Sequence, residues 1–481
     1  MLTRIKVSGF KNLVDTEIRF GPFTCIVGCN GVGKSNVFDA IEFLSDLSHS
    51  RLEEAAARVR GGREIGDFFT SRGDGRLRIE CDVLIHRCGV DDFGQEVETD
   101  HTYLAYSVEL ALVDGDLGGR RIELIREDLR GISRNRARAR LGFECSDEWF
   151  DSAVLASDRR VPYIGTIEHD EGARVRVYSD GARADQEGSA TCETAHDFLA
   201  SRLPRTALSG ATSANDTRTA ALVRVEMMSW KTYHLEPSSL REPDTIGVPP
   251  VINRRGGGLP ANLYRLKLGP NGDNALVDIS NRLAEIVDGV KQVRVERDIM
   301  RRTLQVVLMD KQGVEFPAAS LSVGTLRFMA FCAIERSPWR NRLFCIEEPE
   351  TGIHPERMGA MMNLLRAIAT DVDFPIDADN PLQQVIINTH SPGIVAHANP
   401  NDVLFADLRD PPSCPGKGPR AIVVKHYPET WRGSFNDSVE IDPGRIVSYL
   451  VAAAPSDDDS RGPTVFKRAG ARFSLRFEDD K

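Results

Sequence analysis

Eight residues near the amino end, Gly28-Cys29-Asn30-Gly31-Val32-Gly33-Lys34-Ser35, have the spacing G-x-x-x-x-G-K-[ST]. Glycines so placed let successive backbone N–H groups turn inward onto phosphates, and a following helix adds the positive end of its dipole. Lys34 then supplies a point charge for β- and γ-phosphates, and the Ser35 hydroxyl is a ligand for Mg²⁺. Far downstream, Leu343-Phe344-Cys345-Ile346-Glu347-Glu348 puts two carboxylates directly after an apolar run. At a strand's carboxyl end beside a phosphate loop, Glu347 would hold the metal side and Glu348 would act as general base on water. A charged turn that merely ends a strand is the competing reading. A third run, Val385-Ile386-Ile387-Asn388-Thr389-His390, carries a histidine at its tip. That imidazole would donate to a γ-phosphate or orient the water, against the plainer reading of a surface histidine.

These groups need a framework that brings strand ends together. Arg4-Ile5-Lys6-Val7 and Thr16-Glu17-Ile18-Arg19-Phe20 read as short strands, and Phe23-Thr24-Cys25-Ile26-Val27 as a buried one. Val37, Ile41 and Leu44 recur at helical spacing after the glycine turn, so that helix packs one face on a sheet. Residues 77–86, 102–113, 121–130 and 173–180 alternate like half-exposed antiparallel strands, and the pattern between 187 and 235 is helical. No sustained heptad survives Pro204 or Gly210, which excludes a long coiled-coil arm. Five prolines (Pro237, Pro243, Pro249, Pro250, Pro260) and the run Arg254-Arg255-Gly256-Gly257-Gly258 predict a long loop over 236–262. Then come a helix over 273–290, two strands over 292–309, a helix after Ser322 and the strands at 343 and 385 with a helix between. This alternation predicts an α/β core whose sheet the amino-terminal strands complete.

With 481 residues, 41% hydrophobic and 27% charged, the chain is globular rather than fibrous or disordered, and long enough for two or three units. A net charge of −10 excludes a uniformly basic nucleic-acid binder but not a local patch. The nine cysteines are scattered without a C-x-x-C pair, as expected of reduced thiols in the cytoplasm. No run approaches the apolar length of a membrane span, so no membrane partner is expected.

Phe10-Lys11-Asn12-Leu13, the loop through Lys34-Ser35-Asn36, Leu321-Ser322-Val323-Gly324-Thr325-Leu326-Arg327-Phe328, Glu347-Glu348-Pro349-Glu350-Thr351-Gly352-Ile353-His354-Pro355 and Thr389-His390-Ser391-Pro392 occur in this order. As a set they resemble an ABC-type ATPase head of the RecF, SMC and OLD kind, nearest to the AAA-family ATPases of bacterial anti-phage systems such as Septu or PARIS. Asn262 and Leu263, after the glycine run, also resemble that group. The resemblance implies an α/β, ABC-type P-loop ATPase head, a mixed sheet with helices and an antiparallel β subdomain, carrying a compact inserted α+β region. Residues 1–50 would be the amino-terminal lobe, 51–235 the insertion, 236–410 the carboxy-terminal lobe and 411–481 an extension. It further implies ATP with Mg²⁺, bound by Gly28, Asn30, Gly31, Gly33, Lys34, Ser35 and Asn36, with Lys34, Glu348 and His390 catalytic and Ser35 and Glu347 on the metal. Ser322 and Gly324 would form a signature loop that reaches the γ-phosphate held by a second subunit. Self-association into an ATP-sandwiched homodimer or higher even-numbered oligomer follows. Read locally, Ser322 is a helix N-cap. Two departures stand out: position 347 is Glu where the wider family has Asp, and no glutamine loop is found after the first helix.

Arg130, Arg134, Arg136, Arg138 and Arg140 place five guanidiniums in eleven residues, suited to a nucleic-acid backbone or to a solvated loop, the latter slightly favoured. Asp457-Asp458-Asp459 contains D-x-D letters in a polar stretch and reads as a linker, so a nuclease is expected from a separate partner. The expected function is thus the ATPase subunit of an anti-phage complex that senses phage or nucleic acid and controls a separate nuclease or toxin. A RecF-like repair ATPase that binds DNA directly, and a nucleotide-gated scaffold with negligible hydrolysis, are the alternatives.

Overall fold

A computed structural model describes residues 1–446 apart from 62–65, 71–74, 116–118, 185–189, 192–193, 270–271, 338–341, 411–419, 436–437 and 443. The Asp457–Asp459 run, Cys192 and Cys414 lie outside the described residues.

The central sheet has six strands in the order Lys231–Tyr233, Leu343–Glu347, Gln384–Thr389, Phe23–Val27, Val403–Arg409, Ala421–His426. The first five run parallel, and the last pairs antiparallel at an edge. Every residue of Phe23–Val27, Leu343–Glu347 and Gln384–Thr389 is buried, as a parallel sheet covered on both faces requires. The period-2 alternation of these strands divides the molecule into two cores. Ile26, Leu343, Cys345 and Ile386 join the phosphate-loop helix Lys34–Leu47 in one. Cys25, Val27, Phe344, Ile346, Val385 and Ile387 face the helices Val323–Glu335 and Met358–Ile368 in the other.

The first core is closed by an antiparallel eight-stranded sheet, ordered Thr194–Leu199, Arg174–Tyr178, Ile164–Ile167, Arg120–Gly131, Tyr103–Asp114, Arg76–Leu84, Leu2–Ser8, Thr16–Arg19. Its inner face buries Ile5, Val7, Leu77, Ile79, Val108 and Leu124. Between the layers Glu226, fully buried, accepts from the amino group of Met1 at 2.6 Å, Arg342 at 2.9 Å and the Trp230 indole at 3.3 Å. A smaller sheet built on the hairpin Val290–Asp298 and Thr303–Asp310 flanks the second core.

Three expectations are corrected. Among the described residues of 187–235 the α-helical part is Ala214–Met228, with 3-10 turns at Ala200–Arg202 and Leu208–Gly210, whereas Thr194–Leu199 is an edge strand and Lys231–Tyr233 a strand of the central sheet. The stretch 236–262 holds a short helix, Pro237–Arg241, and the start of Leu259–Leu268, because Pro237 and Pro260 occupy first-turn positions where a missing N–H costs nothing. The arginine run is no loop: it ends a strand and forms the helix Arg134–Leu141. Ala214–Met228 is broken by a kink at Thr217, so the longest unbroken helix among the described residues is Lys34–Leu47 at 14 residues, and these residues form no long coiled coil.

Candidate nucleotide site

Register places the candidate residues. Glu347 pairs with Asn388 and Thr389 with Val27, so the carboxyl ends of three parallel strands lie level with the phosphate loop. Tyr233 pairs with Ile346, which brings the following His234 to the same edge.

The loop is tight for stated reasons. Gly33 has φ 103°, a left-handed conformation, and a Cβ there would strike the Asn12 side chain. Asn12 in turn donates to the Val32 carbonyl at 3.0 Å and accepts from Asn36 at 2.8 Å, so the residues around Asn12 buttress the loop from outside. The helix begins at Lys34, whose ammonium donates to the carbonyls of Gly28 at 2.6 Å and Cys29 at 2.9 Å. Burial pulls the Lys34 pKa below its ordinary value, against the attraction of Glu348. A buried ammonium held only by neutral carbonyls, at a helix N-terminus, suits an incoming polyphosphate.

Glu348 sits at φ 45°, unusual for a residue with a long side chain, and its N–H donates to the Asn388 carbonyl at 3.0 Å. The turn aims its carboxylate outward, where Oε1 lies 3.0 Å from His390 Nδ1. The second and third sequence elements therefore meet as a carboxylate–imidazole pair. Behind them Thr389 donates to the buried Glu350, and Asn388 reaches Ser35 Oγ at 3.5 Å. Burial raises the Glu350 pKa.

Glu347 faces Ser35 from the other side, in company that the sequence did not disclose. Arg60 donates to both of its carboxylate oxygens, at 2.9 and 3.2 Å, and His234 Nδ1 lies 3.1 Å away. Burial opposes ionisation of Glu347, but the Arg60 guanidinium outweighs it and keeps the carboxyl below its ordinary range. Arg60 also donates to Asp39 at 3.1 Å and to the Ser35 carbonyl at 3.4 Å. Lys11 closes the group, donating to Asp39 at 2.6 Å and to the Arg60 carbonyl at 2.7 Å. The donor set, a serine hydroxyl and one carboxylate with room for phosphate oxygens, fits Mg²⁺, which is usually held by one or two protein oxygens and the nucleotide.

Ser322 and Gly324 are elsewhere. They line an open cavity of about 570 Å³ with Asp288, Gly352, His354 and Arg357, and none of its lining residues comes from the phosphate loop. Ser322 Oγ caps its helix, accepting from Thr325 N–H at 3.1 Å, so the N-cap reading is realised. Gly324 lies so close to the Gly352 carbonyl that a Cβ would overlap it. Arg327, one turn on, donates to the Glu348 carbonyl at 3.1 Å and the Leu235 carbonyl at 2.8 Å, tying this helix to the carboxylate turn.

Of the five clustered arginines, four face acids. Arg140 holds the buried Asp82 bidentately at 2.6 and 2.8 Å, Arg138 meets Asp147 at 2.6 Å, Arg134 meets Asp151, and Arg130 approaches Asp128 at 3.7 Å.

Two family models match this chain. The first, described as "AAA domain, putative AbiEii toxin, Type IV TA system", covers residues 202–396, and the second, "RecF/RecN/SMC N terminal domain", covers residues 1–59. Similar curated proteins are DNA replication and repair protein RecF of Paenarthrobacter aurescens, 28% identical over 25% of this chain and 33% of its own, and that of Magnetococcus marinus, 38% identical over 20% and 22%. These matches thus span a third or less of the relatives' length. Among solved structures, an SMC head bound to the C-winged helix domain of ScpA aligns at 13% identity and TM-score 0.44 over 88% of this chain and 98% of that one. The SMC head domain from Thermotoga maritima aligns at 12% identity and TM-score 0.36, over 89% and 98%. Among the described residues no helix is long and apolar enough to cross a membrane.

Proposed function

From a chain that carries an ABC-type ATPase head of the RecF and SMC kind, we propose an ATP-binding and ATP-hydrolysing subunit of a bacterial anti-phage defence complex, acting in the cytoplasm. The observation that carries the enzymatic part is the convergence of Lys34, Ser35, Glu347, Glu348 and His390 on one end of one sheet. Lys34 exchanges its loop carbonyls for the β- and γ-phosphates. Ser35 and Glu347 would hold Mg²⁺, which would supply neutralisation of the phosphate charge. Glu348 takes the proton of the attacking water, and His390 fixes the orientation of that carboxylate. Ser322 and Gly324, remote from the loop of their own chain, serve the nucleotide of a second copy, so the working unit is a homodimer or an even-numbered oligomer.

The defence role is supported by the toxin–antitoxin description of the family matched over 202–396 and by the acid partners that occupy most of the arginine cluster. The subunit senses phage or nucleic acid, and a separate nuclease or toxin does the damage. Turnover of ATP should vanish in Lys34→Ala and slow at least tenfold in Glu348→Gln while nucleotide stays bound. Unchanged turnover in both variants sinks the mechanism. The names of the curated relatives favour a second reading, direct action on DNA. ATP-stimulated duplex binding by the isolated chain would support it.

A further inference from the structure

The edge strand Ala421–His426 of the central sheet ends against a turn that buries an arginine among carbonyls. Arg432, 3% exposed, donates through Nε to the Arg19 carbonyl at 3.0 Å and through Nη1 to the Asn401 carbonyl, while its Nη2 has no partner among the described residues. Asp402, the acid that attracts it, is itself bonded to Arg366 at 3.3 Å. Burial brings this guanidinium down to about 9 against that attraction. A buried charge is ordinarily paired and fully hydrogen-bonded, and this one is neither.

His426, 2% exposed, is left in a similar state. Its Nδ1 lies 2.7 Å from the Tyr427 carbonyl, which can only accept, so Nδ1 carries a proton. Thr430 Oγ1, 3.2 Å from the same nitrogen, spends its own proton on that carbonyl. Nε2 then has no partner among the described residues. Both side chains line one cavity of about 40 Å³, with Glu17, Arg19, Phe435 and Ser438 among its walls. That is room for roughly two or three water-sized bodies.

Charge selects the occupant. Arg19 lies 3.6 Å from the centre of the Phe435 ring and bonds Glu17 at 2.6 Å, but Glu17 also serves Arg4 at 3.2 Å. The walls thus carry two guanidiniums against one shared carboxylate, an excess that water cannot neutralise and a monovalent anion can. We propose that this cavity, between the edge strand Thr16–Arg19 of the eight-stranded sheet and the edge of the central sheet, binds one small monovalent anion of the halide class, held by Arg432 Nη2 and by Nε2 of a protonated His426. A bridging water would use a bare Nε2 as acceptor, whereas an anion needs Nε2–H, so its binding takes up one proton. The other charged side chains on elements packed around the imidazole are Glu440, across the bridge to His426, and Asp402, ahead of the strand Val403–Arg409.

The probe is bromide. In crystals of the full chain grown with sodium bromide near pH 6, anomalous scattering should place an ion between Arg432 Nη2 and His426 Nε2. In solution at constant ionic strength, replacing gluconate by bromide should raise Tm by about 1 °C for each tenfold excess over the dissociation constant, and more at pH 6 than at pH 8. Arg432→Gln should lose the increment, and His426→Gln its pH dependence. No anomalous peak, or a bound water only, overturns the proposal. A peak with equal Tm in both salts marks an adventitious ion only and also overturns it, as does an increment that survives Arg432→Gln. Equal increments at pH 6 and pH 8 overturn the proton uptake. Should Arg432→Gln fail to fold, the parent's diffraction and salt comparison still decide.

Discussion

Replacing Arg140 by glutamine removes the bidentate partner of Asp82, a carboxylate with no exposed surface. The nearest remaining cation is Arg4, at 3.6 Å and shared with Glu17 and Glu80. Breaking a fully buried ion pair costs about 3–5 kcal/mol. Here the Arg140 side chain is 38% exposed and Arg4 stays, which reduces the figure to about 2 kcal/mol. Arg134 and Arg138 meet Asp151 and Asp147, which are 66% and 90% exposed, and both stack on Phe150; removing either should cost less than about 1 kcal/mol. In a thermal melt Arg140→Gln should lower Tm by about 2 °C, and Arg134→Gln or Arg138→Gln by less than about 1 °C. A double-mutant cycle with Asp82→Asn isolates the pair. An Arg140→Gln protein no less stable than Arg134→Gln, or a cycle with no coupling, refutes the reasoning. One consequence concerns the nucleic-acid question: neutralising residues 130–140 wholesale would unsettle the eight-stranded sheet, so loss of DNA binding in such a variant has to be compared with Arg134→Gln and Arg138→Gln alone.

Glu226→Gln leaves the Met1 ammonium and Arg342 without their buried anion and should destabilise by about 3–5 kcal/mol in urea denaturation. Burial works against this carboxylate, but its two cations hold its pKa down to about 2, so its contribution is present above the ordinary carboxylate range and lost as pH falls through about 2. Glu127 behaves oppositely. Its fully buried carboxyl accepts from the N–H groups of Ala207 and Leu208 and from the Tyr106 hydroxyl, yet burial pushes its pKa up to about 7. It favours the folded state most below its unfolded pKa, and that advantage fades as pH rises through 7. The stability difference between the parent and Glu127→Gln should therefore shrink by about 3 kcal/mol between pH 4.5 and 8. A difference that stays constant with pH refutes this assignment.

The phosphate loop, the carboxylate pair and the tip histidine were legible because each is local: an apolar run, a turn and a polar residue adjacent in sequence. Parallel register then brings them level. Arg60 was not legible, since its partner Glu347 is 287 positions away and nothing local marks it. His234 carried a signal of the kind found at His390, a histidine directly after a short strand, but the helical pattern read over 187–235 hid it. Prolines at 237 and 260 misled in the opposite direction, because their spacing says where a chain bends and not whether a helix starts there. The pairing of the arginine run needed Asp82, Asp128, Asp147 and Asp151, of which Asp82 is brought in by pairing of the strand Arg76–Leu84 with Tyr103–Asp114, itself paired with the strand that carries Arg130.

The interleaved strand order of the central sheet has a consequence for synthesis. Phe23–Val27 lies between Gln384–Thr389 and Val403–Arg409, so an early segment waits for neighbours made more than three hundred residues later. Closing so long a loop is slow compared with forming hairpins such as those between Arg76 and Gly131. On a translating ribosome the eight-stranded layer can pair while the phosphate loop still lacks its sheet. The capacity to engage phosphate in a finished site is therefore acquired late in elongation, and a nascent chain stalled before residue 384 is in this respect inert.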